Sequence, residues 1–209
     1  MSKAASIHPP GVEFYYDYGS PASYLAWTQL TRICAERGAT LTYTPVVLGA
    51  IFKSTGNSSP AAIPAKGKYI FQDFARWAAR WGVPLRANPF FPINTINLMK
   101  AAYGIQLRQP ERFEDLNRAV FNALWVEALD LNAPAVTAKT LSGAGFDPAY
   151  IAALIEDPEV RTGIRRNTDE AIRRGVFGAP TFFVGGQMYW GQDRLFMVEE
   201  AIAGGSANA

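Results

Sequence analysis

The sequence predicts an α/β protein in which one sheet-containing domain is interrupted by an all-helical insertion. Three observations carry this expectation. The N-terminal part reads strand–helix–strand, the C-terminal part reads strand–strand–helix, and the long stretch between them shows only helical periodicity. Val12 to Tyr18 (VEFYYDY) places Val12, Phe14, Tyr16 and Tyr18 on one face, the period of a strand. Gly19 breaks it and Ser20-Pro21 opens a helix at once, since Ser is a favoured N-cap and Pro a favoured first helical residue. Ala26, Leu30, Ile33 and Cys34 give helical spacing, and Gly38 is a C-terminal stop. Leu41 to Leu48 reads as a second strand. A helix between two strands makes a parallel βαβ unit.

After Gly49 the character changes. Lys53 to Pro64 (KSTGNSSPAAIP) is a loop by composition. Ile70, Phe74, Trp77, Ala78 and Trp81 then form one helical stripe, and Phe113, Leu116, Val120, Ala123 and Leu124 another. Asp147-Pro148 and Asp157-Pro158 are N-cap pairs that open two further helices, and Gly175 ends the last of them. Thr181 to Val184, the turn Gly185-Gly186 and Gln187 to Trp190 read as a tight hairpin. Asp193 is placed to cap a final helix carrying Leu195, Phe196, Val198 and Ile202. The expected division is residues 12–50 with 175–204 for the sheet domain and 51–174 for the helical insertion.

Composition excludes much of catalytic chemistry. The 209 residues include one cysteine, Cys34, and one histidine, His8. No intramolecular disulfide can form, and no Cys/His zinc site of ordinary ligand count can be built, so no metal site is expected. A Ser-His-Asp or Cys-His pair would have to use His8, in a Pro-flanked N-terminal segment. The net charge of +2 is too balanced to imply a nucleic-acid partner. Hydrophobic residues at 49% suffice for a sizeable core, yet no apolar run approaches the ~18 residues of a membrane span. The stretch MSKAASIHPPG has no apolar h-region, so no secretory signal is expected. One unpaired cysteine fits a reducing, cytoplasmic compartment. Cys34 itself falls on the buried stripe of the first helix and reads as a core residue.

The order βαβ…ββα, with Ala179-Pro180 just before the third strand, resembles a thioredoxin-like fold. In that fold the active residues open the first helix and a cis-proline faces them. Here the motif is Ser20-Pro21-Ala22-Ser23, where a disulfide oxidoreductase carries C-x-x-C. Both sulfurs are replaced by hydroxyls, so dithiol exchange is impossible at this place. Three segments narrow the match: FYYDYGSPASYLA (Phe14 to Ala26), AIFKSTGNSSP (Ala50 to Pro60) and GVFGAPTFFVGGQMYWGQDRL (Gly175 to Leu195). Together they resemble the 2-hydroxychromene-2-carboxylate isomerase family, glutathione-dependent members of the DsbA/kappa-class glutathione transferase superfamily. The resemblance runs from about Val12 to Ile202.

That resemblance implies that glutathione supplies the missing sulfur. The family reaction interconverts 2-hydroxychromene-2-carboxylate and trans-o-hydroxybenzylidenepyruvate. A thiolate adding to the conjugated carbon makes the alkene a single bond, which rotates before the thiolate leaves. Ser20, at a helix N-terminus, is then the thiolate stabiliser. Ala179 and Pro180 would pair their turn with the cysteinyl unit. Asn57 and Lys66 match glutathione-binding positions, and Gln192 and Asp193 match those that hold the γ-glutamyl end. Lys53 is the candidate for the substrate carboxylate, Asn94 and Thr95 for its oxygens, and Trp190, Tyr16 and Phe91 for aromatic walls. A small-molecule aromatic carboxylate partner and a homodimer are expected. Two alternatives stay open: a kappa-like glutathione transferase, and a non-catalytic thioredoxin-fold binding protein.

Overall fold

The computed structural model describes residues 11–205, and His8 lies outside them. Strand β1 (Gly11–Tyr16) pairs in parallel with β2 (Thr40–Pro45), and helix α1 (Pro21–Glu36) connects the two. On its other side β1 pairs antiparallel with β3 (Thr181–Val184), which pairs antiparallel with β4 (Gln187–Trp190). The sheet order is β2-β1-β3-β4, the mixed sheet of the thioredoxin-like class. Val12, Phe14 and Tyr16 project from one face of the central strand and are wholly buried, as their alternation requires. Phe14 stacks on Phe182 across the β1–β3 pair, ring centroids 5.4 Å apart. The hairpin between β3 and β4 falls where the sequence places it, with Gly185 and Gly186 at φ 57° and 81°. Both central residues of such a turn need positive φ.

Seven helices follow β2 before the chain returns to the sheet: α2 (Leu48–Thr55), α3 (Pro64–Trp81), α4 (Ile96–Arg108), α5 (Phe113–Trp125), α6 (Pro134–Gly143), α7 (Pro148–Leu154) and α8 (Pro158–Arg173). A last helix, α9 (Leu195–Gly205), ends the described chain. Asp147 and Asp157 do cap α7 and α8, accepting from the N–H groups of Ala149 and Glu159. The stripe from Ile70 to Trp81 lies on α3, and that from Phe113 to Leu124 on α5. Buried side chains of β1, α1, α4 and α5 form one continuous apolar cluster, so the sheet and these helices share a core. No described helix is long and apolar enough to cross a membrane.

Two local expectations are corrected. The second strand stops at Pro45 rather than Leu48, because α2 begins at Leu48. The stretch from Lys53 to Pro64 is not all loop: it holds the end of α2 and a 3-10 turn, Pro60–Ala62, capped by Ser59. Val47, the N-cap of α2, makes no side-chain cap bond, so the sequence gives no local start signal there. The cap comes from elsewhere in the chain, as described next.

Candidate active site

Ser20 is the N-cap of α1 and is 5% exposed. Its Oγ accepts from the Ser23 N–H at 3.1 Å and donates to the Ala179 carbonyl at 2.9 Å. The Ala179-Pro180 peptide bond is cis. The structure therefore brings the first helix and the proline turn together through this one hydroxyl. Its single proton is directed to the carbonyl, while its lone pairs remain acceptors. The Ala179 N–H makes no hydrogen bond to the protein among the described residues. The first turn of α1 contains no acidic side chain.

Around this pair the remaining candidates arrange unequally. The Gly191 N–H donates to the Pro180 carbonyl at 3.0 Å, which holds the 3-10 turn Gln192–Arg194 beside the proline. Gln192 is buried in that turn. Asp193 is not the N-cap of α9, as the sequence suggested; it sits inside the 3-10 turn and pairs with Arg194. Gly191, at φ 98°, allows this fold-back, because a Cβ there would lie 2.5 Å from Asp193 Oδ1. Asn57 donates through Nδ2 to the Phe177 carbonyl at 2.8 Å and so ties the loop after α2 to the segment before the proline. Trp190, 47% exposed, packs on Phe177 at 5.0 Å between ring centroids and leaves no room for a side chain at Gly178.

Lys53, near the end of α2, and Lys66, in the first turn of α3, are both exposed, and no hydrogen bond ties either to the Ser20 turn. Asn94 is exposed and accepts from the Ile96 N–H at 3.2 Å. Thr95, by contrast, is buried, and its hydroxyl donates to Asp17 Oδ1 at 2.6 Å. Tyr16 is no aromatic wall: it is wholly buried, its hydroxyl donates to Asn117 Oδ1 at 2.9 Å, and burial pushes its phenol well up. Phe91 is half-buried against Phe71 and Trp125. A separate open groove of about 1010 Å³ lies along α5 and α6 and contains none of these residues.

The sequence reading passed over Asp17. Its carboxylate is 2% exposed and accepts from Gly19 N–H at 2.8 Å, Leu48 N–H at 2.9 Å and the Thr95 hydroxyl. Burial raises its pKa above the usual aspartate value, against the lowering by those three donors. The available signal was an Asp two residues before a Gly, the pattern of a side chain bonding its own turn. Ser23, at the place of the second cysteine of C-x-x-C, is also buried, and its Oγ has no partner. No group of three or more His, Cys, Asp or Glu among the described residues is placed to hold a metal ion.

A thioredoxin-like sheet, a helix opened by a hydroxyl and a facing cis-proline define a class, and comparison with known proteins agrees. The chain matches the family model described as DSBA-like thioredoxin domain over residues 11–203 and belongs to that family. Within it, the chain is 32% identical over 194 residues to 2-hydroxychromene-2-carboxylate isomerase of Pseudomonas putida, covering 91% of this chain and 93% of that protein. The solved structure of a selenomethionine 2-hydroxychromene-2-carboxylate isomerase matches with a TM-score of 0.82 and 30% identity, over 92% of this chain and 94% of that one. Glutathione S-transferase kappa 1 of Rattus norvegicus is 29% identical over 199 residues, covering 90% and 88%. The relatives thus include isomerases and transferases.

Proposed function

We propose that this chain is a glutathione-dependent isomerase that interconverts 2-hydroxychromene-2-carboxylate and trans-o-hydroxybenzylidenepyruvate, or a similar conjugated aromatic keto acid. The observation that carries the reading is the Ser20 hydroxyl at the mouth of α1, facing the Ala179-Pro180 turn at 2.9 Å in a chain whose one cysteine is buried elsewhere. Bound glutathione supplies the thiolate that adds to the conjugated carbon and leaves after the bond has rotated.

The protein's own residues have three tasks. Ser20 turns its O–H from the Ala179 carbonyl to the sulfur while still accepting from the Ser23 N–H. The helix N-terminus adds up to about 2 kcal/mol for an anion in a partly buried place, and a hydrogen bond to a charged group about 1.5–3 kcal/mol. Together these draw a thiol from about 8.5 to below neutrality. The Ala179 N–H, and its C=O once the Ser20 hydroxyl turns away, pair with an extended cysteinyl backbone, as an added strand does. Gln192 and Asp193 hold the γ-glutamyl end, with Asp193 exchanging its exposed Arg194 partner for an ammonium at small cost. Asn57 and Lys66 complete the glutathione side. Lys53 and Asn94, with Trp190 as a wall, face the keto acid, and Thr95 supports them from the interior. The enzyme is read as a cytoplasmic homodimer, and sedimentation of the purified chain tests its assembly.

One assay separates this reading from its rivals. Purified protein with 2-hydroxychromene-2-carboxylate should turn over only when glutathione is added. Conjugation of 1-chloro-2,4-dinitrobenzene without isomerisation would instead establish a kappa-like transferase, the reading favoured by the kappa relative. Silence in both would leave a binding protein of the same fold. Ser20→Ala should raise the apparent pKa of bound glutathione by about 1–2 units, the worth of one charged hydrogen bond. Ultraviolet thiolate absorbance against pH measures it, and an unchanged curve would remove Ser20 from its role.

A further inference from the structure

We propose that Asp17 is a positioning residue for this reaction, a single buried anchor that holds the glutathione side and the acceptor side of the site in one register. The inference rests on the reading of Ser20 as thiolate stabiliser. Three separate chain segments end on this one carboxylate. Oδ1 takes the Gly19 N–H at 2.8 Å and the Thr95 hydroxyl at 2.6 Å, and Oδ2 takes the Leu48 N–H at 2.9 Å. The Asp17 carbonyl also accepts from the Ser20 N–H at 3.0 Å. The side chain and backbone of Asp17 thereby close the turn that presents Ser20.

The contacts reach the starts of two helices. Helix α2 starts at Val47-Leu48 with no side-chain cap of its own, and Asp17 Oδ2 caps it from 31 residues away. Helix α4 starts after Thr95, a good capping residue, yet the Thr95 side chain makes no cap bond to its own helix and instead donates its hydroxyl proton to Asp17. Gly19 is pressed between the two: a Cβ there would lie 3.3 Å from Thr95 Cγ2 and 3.4 Å from Asp17 Oδ1. Helix α2 carries Lys53 and leads to Asn57, while α4 is preceded by Asn94. One side chain therefore sets the Ser20 turn, the helix toward the glutathione loop and the loop toward the acceptor. Among the described residues no Arg or Lys bonds the carboxylate, and fixed donors compensate its burial. A buried charge without a counter-ion is costly, and hydrophobic packing would serve mere stability better.

The test uses Asp17→Asn, Thr95→Val and the double variant in the full chain, each checked for native circular dichroism. Three readouts are needed: glutathione affinity by calorimetry, the apparent pKa of the bound thiol by thiolate absorbance, and kcat and KM taken separately. Positioning predicts that either single change raises the bound-thiol pKa by about one unit, tenfold less thiolate at fixed pH. It also predicts that kcat falls about tenfold or more with a smaller change in KM, and that the double variant is no worse than the worse single one, since both act on the one Thr95–Asp17 contact, which Asp17→Asn weakens and Thr95→Val removes. If Asp17 acted only through its charge, Asp17→Asn would lower the thiol pKa and Thr95→Val would leave it alone, which would overturn the proposal. Additive shifts, or folded variants with unchanged pKa and kcat, would overturn it too. Should Asp17→Asn fail to fold, Thr95→Val decides alone. Failure of the wild-type chain to bind glutathione as a thiolate would instead overturn the reading beneath it.

Discussion

Cys34 sits on the inner face of α1, and burial pushes its thiol up to about 11. The raised value means the neutral thiol is the favoured form in the folded chain, so at pH 8 only about one molecule in a thousand carries the thiolate. Native protein should resist an alkylating reagent at that pH, while urea-unfolded protein should react fully. Mass spectrometry of the labelled chain checks this, and rapid labelling of native protein would contradict the burial. For the same reason the one protein thiol cannot serve the chemistry at Ser20. It lies in the core and is held in its unreactive form, so a thiolate has to arrive on a ligand. Asn117 is a second residue whose partners only the folded chain brings together. Tyr16 and Tyr18 both donate to its Oδ1, at 2.9 and 2.7 Å, across about a hundred residues of sequence.

Helix packing supplies the next test. Gly104 lies in α4 facing α7, and a Cβ there would stand 2.6 Å from Leu154 Cγ, a branched carbon in the core rather than a flexible tip. Gly104→Ala would gain about 1 kcal/mol of helix propensity. Overpacking costs about 1–3 kcal/mol and outweighs it. A net loss of about 1 kcal/mol is expected, read as a lower urea midpoint with an unchanged m-value. A raised midpoint would show that Leu154 moves aside freely. The caps of α7 and α8 and the hairpin turn behave differently. Their Asp-Pro and Gly-Gly signals are local, and each element begins or turns where that local chemistry places it.

For the molecule as a whole, the expected division into a sheet domain and a helical insertion domain meets one continuous apolar cluster that joins β1 and α1 to α4 and α5. Such a core predicts cooperative loss of both parts. Far-ultraviolet circular dichroism, dominated by the helices, and fluorescence from the five tryptophans, on α1, α3, α5 and β4, should give coincident urea curves. Two separated transitions would establish independent units. The fold class was legible in the sequence because strand and helix periods differ and turn residues punctuate them. Ser20 was legible as a helix cap because capping chemistry is local, whereas the facing Ala179-Pro180 turn came from the resemblance and not from local chemistry. The start of α2, the burial of Thr95 and Tyr16 and the contacts of Asp17 with Leu48 and Thr95 were not legible, because each depends on a partner tens of residues away.

By itself the sequence determined the order of the strands, the caps Ser20, Asp147 and Asp157, the hairpin and the replacement of two sulfurs by the Ser20 and Ser23 hydroxyls. Those features follow from backbone sterics and side-chain chemistry within a few residues. Only the tertiary structure decided which hydroxyl proton meets which carbonyl, and that Asp17 collects donors from Gly19, Leu48 and Thr95. It also decided that Asp193 folds back onto Arg194 instead of capping α9. A hydrogen bond is satisfied by whatever group the fold brings within reach, and a sequence read in short windows shows the donor or the acceptor but not the pair.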